Sequence, residues 1–138
     1  LKNIGYIFPN DYEAFSALNP NEKVIRELDD EEVKQVGSDL IKKLGNKAVV
    51  MTRGAKGITI FERDKPIINI PTYAQEIFDV TGAGDTVTAA ASVALANGVN
   101  IIDAAKIANY AAAIVIRRPG TATASLEELI KEIERNSK

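Results

Sequence analysis

The chain of 138 residues carries 17 Lys and Arg against 19 Asp and Glu, a formal net charge of −2, with 46% hydrophobic and 26% charged residues. Such a length holds one domain of ordinary size, and the charge balance removes the broad cationic surface on which nucleic-acid binding relies. The composition is that of a chain that buries a core rather than of a disordered one. With neither Cys nor His, disulfides, thiolate metal sites and imidazole catalysis are excluded, so any chemistry rests on carboxylates, hydroxyls, amines and backbone amides.

Ile4, Tyr6 and Phe8 alternate with Asn3, Gly5 and Ile7, which predicts a short strand ended by Pro9, a residue that cannot donate to a ladder. Asn10 then stands as a helix cap before Asp11 to Leu18, where Tyr12, Phe15 and Leu18 recur at a spacing of three until Asn19 and Pro20 break the pattern. From Asp29 on, Val33, Val36, Leu40, Ile41 and Leu44 mark the clearest amphipathic helix, with Gly45 as its stop. Ala48 to Thr52, Ile58 to Phe61 and Pro66 to Ile70 are apolar runs of strand length, and three in succession predict a sheet containing a hairpin.

After Asp79 the pattern changes to a glycine turn and two alanine-rich helices, Val87 to Ala96, stopped by Gly98, and Ile101 to Ile116. Their small side chains permit close approach, so both helices are expected to be buried on several faces. Ser125 and Glu128 read as a capping box opening a last helix with Leu126, Leu129, Ile130 and Ile133 apolar, and the tail beyond Arg135 is expected to fray. Asn97, Asn100, Asp103 and Lys106 interrupt the alanine-rich stretch, so no run reaches the roughly 18 to 20 apolar residues that span a bilayer. A cytoplasmic location without membrane or nucleic-acid partners is the expectation. Helices and strands alternate, which predicts an α/β architecture with a largely parallel sheet covered by helices on both faces.

Chemistry concentrates in Asp79-Val80-Thr81-Gly82-Ala83-Gly84-Asp85-Thr86, two glycines and two acids directly before a helix. Two readings are open. In one, the glycines make a tight turn and Asp85 is a first-turn acid that complements the helix dipole. In the other, the glycines remove Cβ atoms where backbone amides face an anion, and the helix N-terminus cradles a phosphate. An acid inside an anion cradle is awkward for stability alone, but phosphoryl transfer wants both amide donors for the equatorial oxygens and a carboxylate for the attacking hydroxyl's proton. In that second reading Gly82, Ala83 and Gly84 can supply the donors and Asp85 the base. Rival nucleotide signatures fail on residues: G-x-x-x-x-G-K-[ST] is absent, and Val87 stands where the dinucleotide fingerprint needs Gly or Ala.

Asp79 to Asp85 resembles the D-x-T-G-A-G-D signature of the ribokinase (PfkB) family of carbohydrate kinases. Three further pieces stand in the family's order: Asn10-Asp11-Tyr12-Glu13 resembles its N-x-x-E motif, Thr52-Arg53-Gly54-Ala55-Lys56-Gly57 its T-x-G-x-x-G loop, and Asn109-Tyr110-Ala111-Ala112-Ala113 its late helix. The likeness runs from about Ile4 to Ser125. It implies a ribokinase-like fold, ATP and Mg²⁺, Asp85 as catalytic base and Gly82, Ala83 and Gly84 as anion hole. It further implies Asn10 and Glu13 organising Mg²⁺ through water, Thr52, Gly54 and Gly57 beside the nucleotide phosphates and ribose, and Asn109 near the adenine. Asp79, Thr81, Gly120 and Ser125 fall where many members bind a monovalent cation such as K⁺. The bland readings remain beside these: a cap for Asn10, a β-turn for the T-x-G-x-x-G loop, a satisfied polar contact for Asn109.

The Gly120-Thr121-Ala122-Thr123-Ala124-Ser125 run is a residue longer than the ribokinase pattern and is similar to the kinase domain of ADP-heptose synthases, which implies a sugar phosphate, heptose 7-phosphate, as acceptor. Residues 1–138 then correspond to the C-terminal nucleotide-binding and catalytic portion of the kinase domain. The Gly-Gly motif, most substrate loops and the β lid are not among them, and an upstream half or complementary chain is expected to cover exposed apolar sheet surface. A homo-oligomer is compatible with this. A non-catalytic nucleotide-binding module, and a kinase for a nucleoside or hydroxymethylpyrimidine, share all of these residues.

Overall fold

The computed structural model describes residues 5–24, 26–73, 82–116 and 124–137. Its elements run β1 (Tyr6–Ile7), α1 (Asp11–Leu18), α2 (Asp30–Leu44), β2 (Ala48–Thr52), a 3-10 turn (Gly54–Lys56), β3 (Ile58–Glu62), β4 (Ile68–Ile70), α3 (Ala83–Ala96), α4 (Ile101–Ile116) and α5 (Leu126–Asn136). The chain forms two compact units, Leu1–Arg53 with Ile58–Asn69, and Gly54–Gly57 with Ile70–Lys138.

In the first unit, helices α1 and α2 carry the crossover that lets β1 and β2 pair in parallel, with Tyr6 opposite Ala48 and Ile7 opposite Val49. Between β2 and β3 only residues 53–57 are available, too few for a parallel crossover, so these strands pair antiparallel from Ala48 opposite Glu62 to Thr52 opposite Ile58. The α/β expectation therefore holds with a sheet that is mixed rather than largely parallel in the described residues, in the order β1-β2-β3-β4. Strand β1 covers only Tyr6 and Ile7, one residue short of Phe8 at the predicted end, yet pairing resumes beyond Pro9. The Thr52 amide donates to Pro9 O at 3.0 Å, and Asn10 bridges Thr52.

Val49, Met51 and Phe61 on one face of the sheet pack with Val33, Val36, Leu40 and Ile41 of α2, with Ala14 of α1 and with Leu28. Gly37 makes this possible, since a Cβ there would run into the Phe61 ring. Ala48, Val50, Ile58 and Ile60, on the opposite face, are buried as well, which is why β2 and β3 read as continuous apolar runs. Exposed apolar sheet surface, expected from the sequence, is thus not found on these strands. Helix α2 is bounded by its own residues: an Asp29–Glu32 capping box at the start, three acids in the first turn, Lys42 and Lys43 in the last turn and left-handed Gly45 as cap.

In the second unit, α3 turns into α4 through Gly98, whose amide donates to Leu95 O while Val99 N donates to Ala94 O, both at 3.1 Å. Helix α4 fulfils the expectation of burial on several faces, with Ala104, Ala105, Ala108, Ala111, Ala112 and Ala113 all inside. Helix α3 does not. It buries Val87, Ala91 and Ala94 along one stripe, while Ala89 and Ala96 are exposed and Val93 is 64% exposed. Leu126 and Ile130 of α5 are also exposed, and with Val93 they border an apolar groove of about 620 Å³. Among the described residues, the exposed large aliphatic side chains therefore lie on helices α3 and α5, and exposed Tyr12 on α1. Beyond Arg135, helix α5 runs one residue further, to Asn136, whose side-chain amide donates back to Glu132 O.

Candidate functional site

Four helices satisfy amides of their first turn with a side chain. Asn10 Oδ1 accepts from Glu13 N at 2.7 Å in α1, Asp29 Oδ1 from Glu32 N at 2.8 Å in α2, Asn100 Oδ1 from Asp103 N at 2.9 Å in α4, and Ser125 Oγ from Glu128 N at 3.2 Å in α5. Helix α3 is the exception, with Gly82 at its N-cap and no side-chain capping bond. Its first amides are thus left without the partner that a Ser, Thr, Asp or Asn would supply, at a terminus that bears the positive end of the dipole.

This terminus starts four residues earlier than the apolar pattern predicts, at Ala83 rather than Val87, so Ala83, Gly84 and Asp85 are helical and only Gly82 makes the turn. Gly82 has φ +81°, a left-handed conformation, and a Cβ on Gly82 or Gly84 would meet nothing within 4 Å. Among the described residues, nothing occupies the space that a side chain on either glycine would take. Asp85 is exposed in the first turn. The hydroxyls of Thr86 and Thr88 reach back along the helix to carbonyls of its first turn, donating to Gly82 O at 3.0 Å and Gly84 O at 3.1 Å. Asp79 and Thr81 lie outside the described residues, as does Gly120.

The first unit brings Asn10, Glu13 and Thr52 together at the carboxyl ends of parallel strands β1 and β2, the end of an α/β sheet at which ligands bind. The capping box engages Asn10 Oδ1 and Glu13 Oε2, the latter accepting from Asn10 N at 2.8 Å. Glu13 is exposed and its second oxygen is uncommitted, a donor suited to the water shell of a hard cation rather than to a closed cage. Among the described residues, no group of three or more His, Cys, Asp and Glu stands together to hold a metal directly.

Beside Thr52, Arg53 carries a side chain only 6% exposed, and its Nη2 donates to Asp30 Oδ1 at 2.8 Å. Its Nε is buried without a partner. This pair ties the residue after β2 to the first turn of α2. Nothing in the local pattern marks it, since the two residues are separated by 23 positions.

In the second unit, the Gly54–Lys56 turn is closed by Gly57 N donating to Gly54 O at 3.0 Å. Gly57 has φ +85°, and a Cβ there would run into Ile70 O and lie 2.8 Å from both Pro71 C and Thr72 N. Asn109, 4% exposed on α4, donates from Nδ2 to Pro71 O at 2.6 Å. The next residue, Tyr110, stacks on Tyr73 with ring centroids 4.1 Å apart and planes 10° from parallel. Burial, reinforced by a hydrogen bond with Tyr73, holds the Tyr110 phenol above its ordinary pKa. Sequence reasoning placed Gly57 and Asn109 in separate motifs and missed Pro71, Tyr73 and Tyr110; only a proline directly after a strand hinted that a backbone carbonyl there needs a side-chain partner. Ser125 has both oxygens engaged, Oγ by Glu128 N and the carbonyl by Leu129 N at 3.0 Å.

Residues 1–129 match the family model described as pfkB family carbohydrate kinase. The Bifunctional protein HldE of Geobacter sulfurreducens is 41% identical over 125 residues, which are 86% of this chain and 26% of that protein. The chain thus spans about a quarter of the length of such curated relatives. Among solved structures, Arabidopsis thaliana ribokinase complexed with ribose and ATP superposes with a TM-score of 0.81 at 27% identity, over 96% of this chain and 42% of that one. Escherichia coli phosphofructokinase-2 in complex with potassium, at 21% identity and a TM-score of 0.81 over 99% of this chain and 42% of that one, shares the fold. Among the described residues, no helix is long and apolar enough to cross a membrane.

Proposed function

This chain belongs to the pfkB family of carbohydrate kinases, and from that premise we propose that residues 1–138 form the C-terminal nucleotide-binding and catalytic portion of an ATP-dependent kinase. Its acceptor is a hydroxyl of a sugar or sugar phosphate, with heptose 7-phosphate the first to try. The observation that carries the reading is the N-terminus of α3, where amides without a side-chain cap stand next to an exposed carboxylate, Asp85.

In this reading Asp85 takes the proton from the acceptor hydroxyl as its oxygen bonds to the γ-phosphorus, and the bond to the β–γ bridging oxygen breaks to release ADP. The amides of Gly82, Ala83 and Gly84 face the charge that develops on the transferring group, where preorganised donors lower the barrier most. Thr52, Gly54 and Gly57 lie along the nucleotide, and Asn109 belongs to the same region. Mg²⁺, held through water by Glu13 and Asn10, would neutralise phosphate charge. A monovalent cation, K⁺ in the first trial, belongs to Asp79, Thr81, Gly120 and Ser125.

The test is transfer of the γ-phosphate of Mg·ATP to a panel of sugars and sugar phosphates, heptose 7-phosphate included, by this chain alone and mixed with the preceding polypeptide of a longer relative. A nucleoside and a hydroxymethylpyrimidine complete the panel. Transfer to a sugar or sugar phosphate supports the proposal, and transfer only in the mixture places the acceptor site on the added polypeptide. A mixture that binds ATP and phosphorylates none of the sugars overturns it in favour of a binding module or another acceptor class.

A further inference from the structure

Three pieces of the second unit that are far apart in sequence meet on one short stretch of backbone, Ile70 to Tyr73. Gly57, the last residue of the glycine turn, packs so tightly on this stretch that a side chain is impossible there. Asn109 donates to the Pro71 carbonyl at 2.6 Å, and Tyr110 stacks on Tyr73. Two successive residues of α4 therefore grip the stretch on which the turn rests.

The physical need for the grip is local. Pro71 has no N–H and ends β4, so no continuing ladder holds its neighbours in place. Its carbonyl is met by the amide of Asn109, which is 4% exposed, on a helix whose backbone bonds are already satisfied and whose position is set by packing. Pro71 itself is exposed, so without that donor its carbonyl turns to water and the backbone is no longer tied to α4. Gly57, in van der Waals contact with it, moves with it.

Resting on the nucleotide-binding reading above, we propose that Asn109 is a positioning residue: through the Pro71 carbonyl it fixes the Ile70–Tyr73 backbone, and thereby sets where the Gly54–Gly57 turn presents itself to the nucleotide phosphates. Asn109 on this account does not read the base. Its loss weakens every ligand that uses the turn and leaves discrimination between bases intact.

The test uses Asn109→Asp, which keeps the shape and removes the donor, and Asn109→Leu, which keeps the bulk. Affinities of Mg·ATP, Mg·GTP and inorganic tripolyphosphate are measured by calorimetry well below the melting temperature, with amide NMR of Gly57 recorded in the ligand-free chain. The expected result is a loss of about tenfold for all three ligands, the equivalent of one lost hydrogen bond, with an unchanged ATP-to-GTP ratio and a shifted Gly57 amide. Weakening of ATP alone, so that the ratio collapses, makes Asn109 a direct base reader and overturns the proposal. An unmoved Gly57 amide overturns it without reference to any ligand, so the result stands apart from failure of the unaltered chain to bind nucleotide, which instead sinks the kinase reading. Should neither variant fold, Asn109→Ala, which removes the donor and suits the alanine-rich helix, takes their place: native affinity for all three ligands with an unmoved Gly57 amide overturns the proposal, and a uniform loss with a shifted amide supports it.

Discussion

Asn10 and Glu13 cap each other: Asn10 Oδ1 accepts from the Glu13 amide at 2.7 Å, and Glu13 Oε2 accepts from the Asn10 amide at 2.8 Å. The two residues proposed as metal organisers are therefore also the start of α1, and the capping bond uses one oxygen of Glu13, leaving Oε1 for the proposed role. A glutamine at N3 makes the same backbone bond without the charge. Glu13→Gln is expected to keep the thermal midpoint of the parent while raising the Mg²⁺ concentration needed for half-maximal transfer by about ten- to a hundredfold. Loss of stability with unchanged Mg²⁺ dependence would reduce the pair to a helix cap. Asn10→Ala removes the cap itself and is expected to cost about 1 kcal/mol in chemical denaturation.

Asp85 is exposed, so its charge contributes little to folding. Asp85→Asn is expected to lower phosphoryl transfer by about 10² to 10⁴ while nucleotide affinity stays level or rises, because a negative charge leaves the neighbourhood of the phosphates. Single-turnover kinetics beside a binding isotherm separate the two quantities. Equal loss in both would assign Asp85 to binding rather than proton transfer.

Gly84 offers a test in which stability and binding move in opposite directions. It is helical and exposed, with open space where a Cβ would stand, so Gly84→Ala is expected to stabilise the fold by about 0.5 to 1 kcal/mol. If the α3 terminus is the anion hole proposed above, the added methyl group crowds the phosphate oxygen, and affinity for Mg·ATP should fall. If nucleotide binding survives the substitution unchanged, the α3 terminus is not the anion hole. Gly82→Ala, forced into φ +81°, should lose about 1 kcal/mol or more of stability.

The pH dependence of folding has a nameable local source. The Arg26 guanidinium, bonded to Glu32, and the Asp29 amide hold the Glu32 carboxyl well below the usual range, at about 2. A carboxyl depressed in the folded state contributes stability that is present above its unfolded pKa, near about 4.3, and disappears as the pH falls through the folded value. Arg26→Gln should return the Glu32 titration, followed by carboxyl NMR, toward the ordinary carboxylate range and flatten the stability curve between about pH 4.3 and 2. An unchanged Glu32 titration in that variant would assign the depression to the Asp29 amide.

Much of the fold was legible because its signals are short. Asp11 to Leu18, Asp29 to Gly45 and Ile101 to Ile116 coincide with the observed helices, and the Ser125–Glu128 box opens α5 as expected. Caps and apolar spacing act over three or four residues, within reach of any local reading. At α3 the same reading placed the start at Val87, because Ala83, Gly84 and Asp85 carry no apolar stripe. Its burial was misjudged for a related reason: alanine permits close packing but does not say whether a neighbour is there, and Val93 is 64% exposed.

By itself, the sequence determined which residues could do chemistry: with no Cys and no His, it left carboxylates and glycine-framed amides in four ordered motifs. Only the tertiary structure decided which of them touch. Asn109 and Pro71 are separated by 38 positions and Arg53 and Asp30 by 23, and a hydrogen bond across such a distance leaves no periodicity or spacing in either partner's neighbourhood. Closing those loops is the work of the packed core, which alone brings the donor of one motif to the backbone of another.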